Sequence, residues 1–293
     1  MPLSHAESST DSSTEVDDSV RALDAALKDA TESVFLIGPS VSLIRELAKR
    51  FGRANDELSG SSVRVLAEES VLDTATDDTL TEYRLAAPVE EGSLEIRSSE
   101  PATQTPGSQN TLPSVILTES KILAVINPGY IADSSSDYVD QVTARYDGLW
   151  EDAEPYGSFS KTATFDVIEE VAREKFSFAF VDDLWEVFLT VDTLGTRDDP
   201  IGVEDVVFAI ATQHEETQYQ VGKFCEDTQI VSPATVSRVK RFYDDVEAIE
   251  TSRVPQDRGR PRDRLFFADD DLASADAETL VRRLREIRET RSL

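Results

Sequence analysis

Thiols and imidazoles are nearly missing from this sequence: one cysteine, Cys225, and two histidines, His5 and His214, in 293 residues. A single cysteine excludes an intrachain disulfide, and three such scattered side chains leave no zinc-ligand cluster. Cys225 reads as a buried small hydrophobe, since only His214 lies in its segment. A carboxylate-only Mg²⁺ or Ca²⁺ site stays open, although no loop has EF-hand spacing. No apolar run approaches the ~20 residues of a membrane span. The first residues are rich in Ser, Thr, Asp and Glu, without the basic start and apolar centre of a signal peptide. A cytoplasmic protein without cofactor or metal is the expectation.

Positive charge is also scarce. Fifty-eight acids face 29 bases, for a net charge of -29, and the bases are 22 Arg and 7 Lys. Such acidity fits either a protein with basic partners or one adapted to a salty cytoplasm, where dense carboxylates keep it hydrated. The even spread of the acids favours the second, halophilic reading. Acidity so caused does not argue against binding DNA.

Against this background one basic island stands out. From Ser232 to Leu265 there are eight bases and six acids, and from Arg253 to Arg264 five arginines face two aspartates, a local charge of +3. The island opens with Ser232-Pro-Ala-Thr-Val-Ser-Arg-Val-Lys-Arg-Phe-Tyr243. Ser232 is a good N-cap and Pro233 suits the first helical position. Val236, Val239, Tyr243 and Val246 share one face, the side to bury. Ala234, Ser237, Arg238 and Arg241 share the opposite face. Small residues there let the backbone approach a groove, and the arginines can reach phosphates or a guanine edge. Gly259 and Pro261 give the following arginine run a tight tip.

The rest of the chain divides by composition and periodicity. Residues 1–16 are polar, low-complexity and expected to be disordered. Val20, Leu23 and Leu27 mark a helix. Strands are expected at Val34–Ile37, Val63–Leu66, Leu94–Ile96, Val115–Leu117 and Ile122–Ile126, the last two as a hairpin. Helices follow Ser40 and run from Tyr138 to about Glu154, with a polar helix-like stretch up to Leu85. Pro101–Asn110 reads as a loop and Asn127–Gly129 as a turn. Alternating strands and helices indicate an α/β domain over 17–156. A helical linker region is expected over 157–200, a helical DNA-binding unit over 201–268, and a last helix over 269–293 with Leu280, Leu284 and Ile287 as its apolar stripe.

The order helix, short helix, Ser232-Pro-Ala-Thr-Val-Ser-Arg helix, then Gly259-Arg-Pro-Arg262 resembles winged helix-turn-helix regulators over about residues 200–268. The N-terminal half is similar to the sensor domain of archaeal sugar-responsive TrmB-type regulators. Val34-Phe-Leu-Ile-Gly38, Ser114-Val-Ile-Leu-Thr118 with Ile122-Leu-Ala-Val125, and Tyr146-Asp-Gly-Leu-Trp-Glu151 carry that likeness. Here the sensor comes first, the reverse of TrmB order, and this order in an acidic chain resembles the haloarchaeal TbsP family. The resemblance implies an α/β N-terminal sensor domain, phospholipase-D-like and TrmB-effector-like, followed by a mainly helical winged helix-turn-helix domain. It also implies a homodimeric transcription factor acting on central carbon metabolism. Phospholipase-D-type catalysis needs His-x-Lys, which neither His5-Ala-Glu nor His214-Glu-Glu supplies, so no enzyme is expected.

The expected DNA-binding residues are Ser232, Ala234, Thr235, Ser237, Arg238, Lys240, Arg241, Arg258, Arg260 and Arg262. Each competes with a plainer reading: an amphipathic surface helix, and a solvated loop whose arginines pair with Asp257 and Asp263. Gly38-Pro39-Ser40 opens a helix whose N-terminus suits an anion. Ser40 with Arg45 is therefore a candidate site for a small anionic metabolite effector, beside the plain alternative of a serine cap. Arg64 and Arg97, on strands, read as structural. Two seams for a homodimer offer themselves, the Leu280–Ile287 stripe and the Trp150 helix. Double-stranded DNA is the expected partner, and an adaptor whose winged helix binds a protein is the alternative.

Overall fold

The computed structural model describes residues 12–51, 62–99, 114–126, 129–157, 165–191, 193–196, 199–255 and 260–292. The segment 1–11, the loop at 101–110, the turn residues 127–128 and the wing residues 256–259 lie outside it. Helix α1 (Ser12–Asp29) begins inside the segment expected to be disordered. The chain forms two compact units, one of residues 1–75 with 88–157, the other of residues 76–87 with 158–293.

The first unit is built on a seven-stranded mixed sheet. Strands β1 (Ser33–Ile37), β2 (Ser62–Glu68) and β3 (Leu94–Ser99) run parallel to one another. Strands β4 (Val115–Thr118), β5 (Ile122–Val125) and β6 (Tyr130–Asp133) extend it antiparallel beyond β1. Two residues, Glu154–Pro155, close the far edge beside β3 as β7, so the order is β6-β5-β4-β1-β2-β3-β7. The unbroken apolar runs of β1 and β4 are buried, as central strands covered on both faces must be. Gly38 takes φ +55 where β1 turns into α2 (Val41–Phe51), a conformation that favours glycine.

Helix α5 (Ser136–Asp152) covers one face of the sheet with Val139, Tyr146 and Trp150. Trp150 meets Phe35 edge-on at 5.3 Å. Arg64 and Arg97 explain how α5 is held. Arg64 bonds Asp147 at 3.0 Å and lies over Phe35, while Arg97 donates to the Trp150 carbonyl at 2.9 Å and lies over its ring. Trp150 is thus consumed by its own unit. The outer side of that helix keeps Tyr138 and Leu149 exposed.

The second unit is helical. Its core joins α6 (Phe165–Lys175), α7 (Phe178–Thr190), α8 (Val203–Gln213), α9 (Gln218–Asp227), α10 (Pro233–Asp245) and α12 (Ala277–Ser292). The short α11 (Asp270–Ala273) contributes Leu272. Residues 157–200, expected as a helical linker region, carry α6 and α7, both part of this core. Phe176, Phe180 and Phe224 form an aromatic nucleus, with Phe176 and Phe180 stacked at 3.9 Å.

The unit also takes in residues from the middle of the other one's sequence. Helices α3 (Glu69–Thr76) and α4 (Thr79–Glu91) occupy the stretch read as polar, and α4 carries Pro88 internally. Leu80 and Tyr83 of α4 lie in the helical core. Asp78 caps α4 through the Thr81 amide at 3.1 Å and also accepts from the Leu194 amide at 2.7 Å. Buried Arg84 donates to the Val191 carbonyl at 3.0 Å and to that of Phe188. Leu280 and Leu284 are buried in the same core, with Ile287 packed against it. That stripe is spent within the chain, which corrects it as a dimer seam.

Candidate nucleic-acid interface

The site rests on three helices and a hairpin. A turn through Glu215 (φ +55) follows α8, and Thr217 then caps α9 in a capping box with Gln220. Gln229 (φ +57) turns the chain again, and Ser232 caps α10 by accepting from the Thr235 amide at 3.2 Å. After α10, strands β8 (Ile249–Val254) and β9 (Arg262–Phe267) pair antiparallel. Thr217 bridges to Arg264, and the Leu265 amide donates to the Glu216 carbonyl at 3.0 Å, so the turn before α9 adds a third edge to the hairpin. Buried Ile249 and Leu265 anchor the hairpin's base.

Helix α10 buries Val236, Val239 and Tyr243 and half-buries Val246. Tyr243 stacks on Phe208 of α8 at 5.9 Å and donates to Asp205 at 3.0 Å. Asp205 also accepts from the Gly202 amide at 3.0 Å and from Arg288 of α12, whose Nε stands at 3.0 Å. The Arg288 guanidinium lies 3.8 Å above the Phe242 ring. One turn earlier on α12, Arg285 bonds Asp199 at 2.8 Å and the Thr193 carbonyl at 2.8 Å. The inward side of α10 is thus fixed to both α8 and α12.

The outward side carries Ser232, Ala234, Ser237, Arg238 and Arg241, all exposed. Arg238 donates to the half-buried Thr235 hydroxyl at 2.9 Å, and Ser237 donates to the Pro233 carbonyl at 3.0 Å. Neither Arg238 nor Arg241 meets a carboxylate among the described residues. Arg260 is exposed beside them. Arg258 lies outside the described residues.

Two of the expected residues are placed differently from this exposed row. Lys240 is half-buried between Asp244 at 3.7 Å and Asp263 of β9 at 3.9 Å, tying the helix to the hairpin. Arg262 is half-buried with its guanidinium 3.8 Å over the Tyr219 ring, tying the hairpin to α9.

Three side chains not singled out from the sequence join the site. Gln218, Tyr219 and Lys223 of α9 line a cleft of about 640 Å³ together with Ser237, Arg260 and Arg262. Gln218 donates to Ser237 at 3.3 Å. The Lys223 ammonium is held charged by hydrogen bonds to Glu226 and Asp227. The capping-box spelling Thr217-Gln-Tyr-Gln220 is the sequence signal that puts Gln218 and Tyr219 on the first turn of α9. The Ser40–Arg45 pair lies apart from this site, and the Arg45 Nε is buried without a hydrogen-bond partner among the described residues. Ser40 accepts from the Leu43 amide at 3.3 Å as an ordinary cap, and Arg45 donates to the Thr74 carbonyl at 3.1 Å.

Two helices joined by a tight turn, the second presenting small residues and arginines, followed by a basic hairpin, define a winged helix-turn-helix DNA-binding module. Family models agree. Residues 164–285 match the transcriptional regulator TbsP-like C-terminal HTH domain, and residues 11–157 match the TbsP-like N-terminal domain. The chain belongs to the TbsP-like transcriptional regulators. No curated protein matches it. A solved structure of TrmBL2, an archaeal chromatin protein described as showing a novel mode of DNA binding, is similar over 48% of this chain and 51% of that one. Its identity is 13% and its TM-score 0.36, too low to carry an inference. The matched part spans about half of that protein's length.

Proposed function

We propose that this chain is a sequence-specific regulator that binds its operator as a homodimer, with α10 in the major groove and the β8–β9 hairpin along the phosphates or in the minor groove. One observation carries the reading. In a chain with 58 acids to 29 bases, Arg238 and Arg241 stand exposed on α10 without a carboxylate among the described residues. Such arginines are available to an outside anion or a guanine edge. Ala234 and Ser237 beside them keep the helix surface low enough for close approach. Lys240, Arg262 and Tyr219 hold helix and hairpin in register, and Arg260 extends the basic surface of the hairpin; Arg258, proposed from the sequence, lies outside the described residues. A lone winged module reads one short half-site, and two-fold pairing is the usual remedy.

Three further parts of the proposal rest on the family resemblance. They are a phospholipase-D-like, TrmB-effector-like origin of the first unit, genes of central carbon metabolism as targets, and a haloarchaeal source. A small anionic effector at Ser40 and Arg45 is a fourth part, drawn from the helix N-terminus they share; the Arg45 Nε is buried without a hydrogen-bond partner among the described residues.

The test is a gel shift with genomic fragments in high KCl, followed by Arg238→Ala combined with Arg241→Ala. Each base-edge contact is worth about 1–3 kcal/mol. The double variant should therefore lose specific binding while its circular dichroism is unchanged. Unchanged operator affinity would sink the assignment of α10. Absence of any shift by the parent protein would favour the adaptor reading. Chromatin immunoprecipitation with sequencing then tests the target genes.

A further inference from the structure

We infer that two copies of this chain pair through the outer edge of β6, joining their sheets antiparallel across a two-fold axis at Ile131. The inference rests on the homodimer reading above and adds the surface to it.

Among the described residues, strand β6 ends the sheet and bonds only to β5. All four of its residues are exposed. An unpaired edge is a template for another strand, and proteins that keep such an edge single usually blunt it with lysine, proline or a bulge. Tyr130-Ile-Ala-Asp133 has no lysine, proline or bulge; it is short, and its one charge, Asp133, stands at the end of the strand. It also displays apolar side chains: Ile131 is 63% exposed, and Tyr130, Ile126 and Tyr138 stand open nearby.

Charge selects the occupant. Each copy carries -29, so a face poor in carboxylates is the one two copies share at least electrostatic cost. In this sequence Ile122–Ala132 has no charged residue at all. A positively charged partner would instead be drawn to the carboxylates that cover the rest of the chain.

Geometry fixes the register. The Ile126 amide donates to the Gly129 carbonyl at 2.9 Å, which makes that pair a hydrogen-bonded one. Alternation along the ladder then turns the backbone groups of Ile131 toward β5, and those of Tyr130 and Ala132 outward. Two outer edges meet best with Tyr130 facing Ala132 of the second copy and Ile131 facing Ile131. Asp133 then lies opposite Gly129, not opposite its own counterpart. The Ile131 pair is of the non-hydrogen-bonded kind, with Cα atoms about 4.5 Å apart, inside the ~4.4–6.8 Å that a disulfide spans.

The lone cysteine makes this testable in the full chain. Cys225 is buried, and burial pushes its thiol up to about 12, so an introduced thiol is the only reactive one. Ile131→Cys, oxidised with diamide in multimolar KCl, should run as a covalent dimer on a non-reducing gel, while Leu149→Cys stays monomeric. Sedimentation of the parent should show a dimer at micromolar concentration, and Ile131→Lys should halve the mass to 32.4 kDa with unchanged circular dichroism. A parent dimer with no crosslink at 131 and a dimeric Ile131→Lys overturns the β6 edge and leaves the homodimer standing. A crosslink at 149 and not at 131 does the same. A monomeric parent overturns the homodimer reading and this inference with it.

Discussion

Replacing Arg288 by methionine should destabilise the second unit and weaken DNA binding, although Arg288 lies on α12 and is not one of the exposed residues of α10. Asp205 is 3% exposed in its side chain and Arg288 22%. Removing the guanidinium leaves the Asp205 carboxylate buried with only the Tyr243 hydroxyl and the Gly202 amide as partners. Breaking a buried ion pair by removing one side costs about 3–5 kcal/mol. The partial exposure of Arg288 places this case at the lower end, near ~3 kcal/mol. Losing the contact over Phe242 adds about 0.5–1 kcal/mol. At about 2–4 °C per kcal/mol for a domain of this size, Tm should fall by roughly 7–16 °C. Thermal unfolding by circular dichroism in multimolar KCl measures this. The Tyr243 hydroxyl would be left on an unneutralised carboxylate, so operator affinity should drop well below the melting range. Adding Asp205→Asn removes the stranded charge and should recover part of the loss. A single variant within about 1 kcal/mol of the parent, the range of an ordinary surface change, would refute the claim that this pair is what fixes α10 to α12.

Four other outcomes can be measured. Arg260→Ala should weaken binding to all sequences alike, because phosphate contacts position more than they specify. Arg262→Ala should instead loosen the hairpin against Tyr219, read as faster amide exchange along β8 and β9; equal exchange would contradict that role. Specific binding should persist at molar KCl, where the Debye length is ~3 Å, and fail near ~0.1 M, where it is ~10 Å and the acidic body repels both the duplex and itself. A KCl titration with circular dichroism at each step checks this, and tightest binding by a folded protein at the lowest salt would refute the halophilic reading. Cys225 should be silent toward a thiol reagent at about pH 8 until the protein is unfolded, and prompt labelling of the native chain would contradict its burial.

Much of the fold could be read in advance because its signals are local. Ser232-Pro233 with Val236, Val239 and Tyr243 spells the start and inner face of α10, and the apolar runs Val34–Ile37 and Val115–Leu117 spell central strands. Strand β6 gives no such signal, since all four residues are exposed and nothing alternates. The two residues of β7 are too few to show a period. The membership of α4 is invisible for another reason: helical spacing tells which face is apolar, not which core receives it. The site shows the same limit. Spacing separates Arg238 and Arg241 from the inner face, but a count of arginines cannot reveal that Lys240 is held by Asp244 and Asp263, or that Arg262 lies over Tyr219.

The excursion of residues 76–87 into the helical unit bears on how such a protein can be cut and recombined. A gene fragment beginning at residue 158 encodes every element of the winged module, yet it omits Leu80, Tyr83 and Arg84. It would expose the apolar floor those side chains cover and leave the Val191 carbonyl without its guanidinium. The DNA-reading half is therefore not a cassette that a recombination event could move alone into another gene.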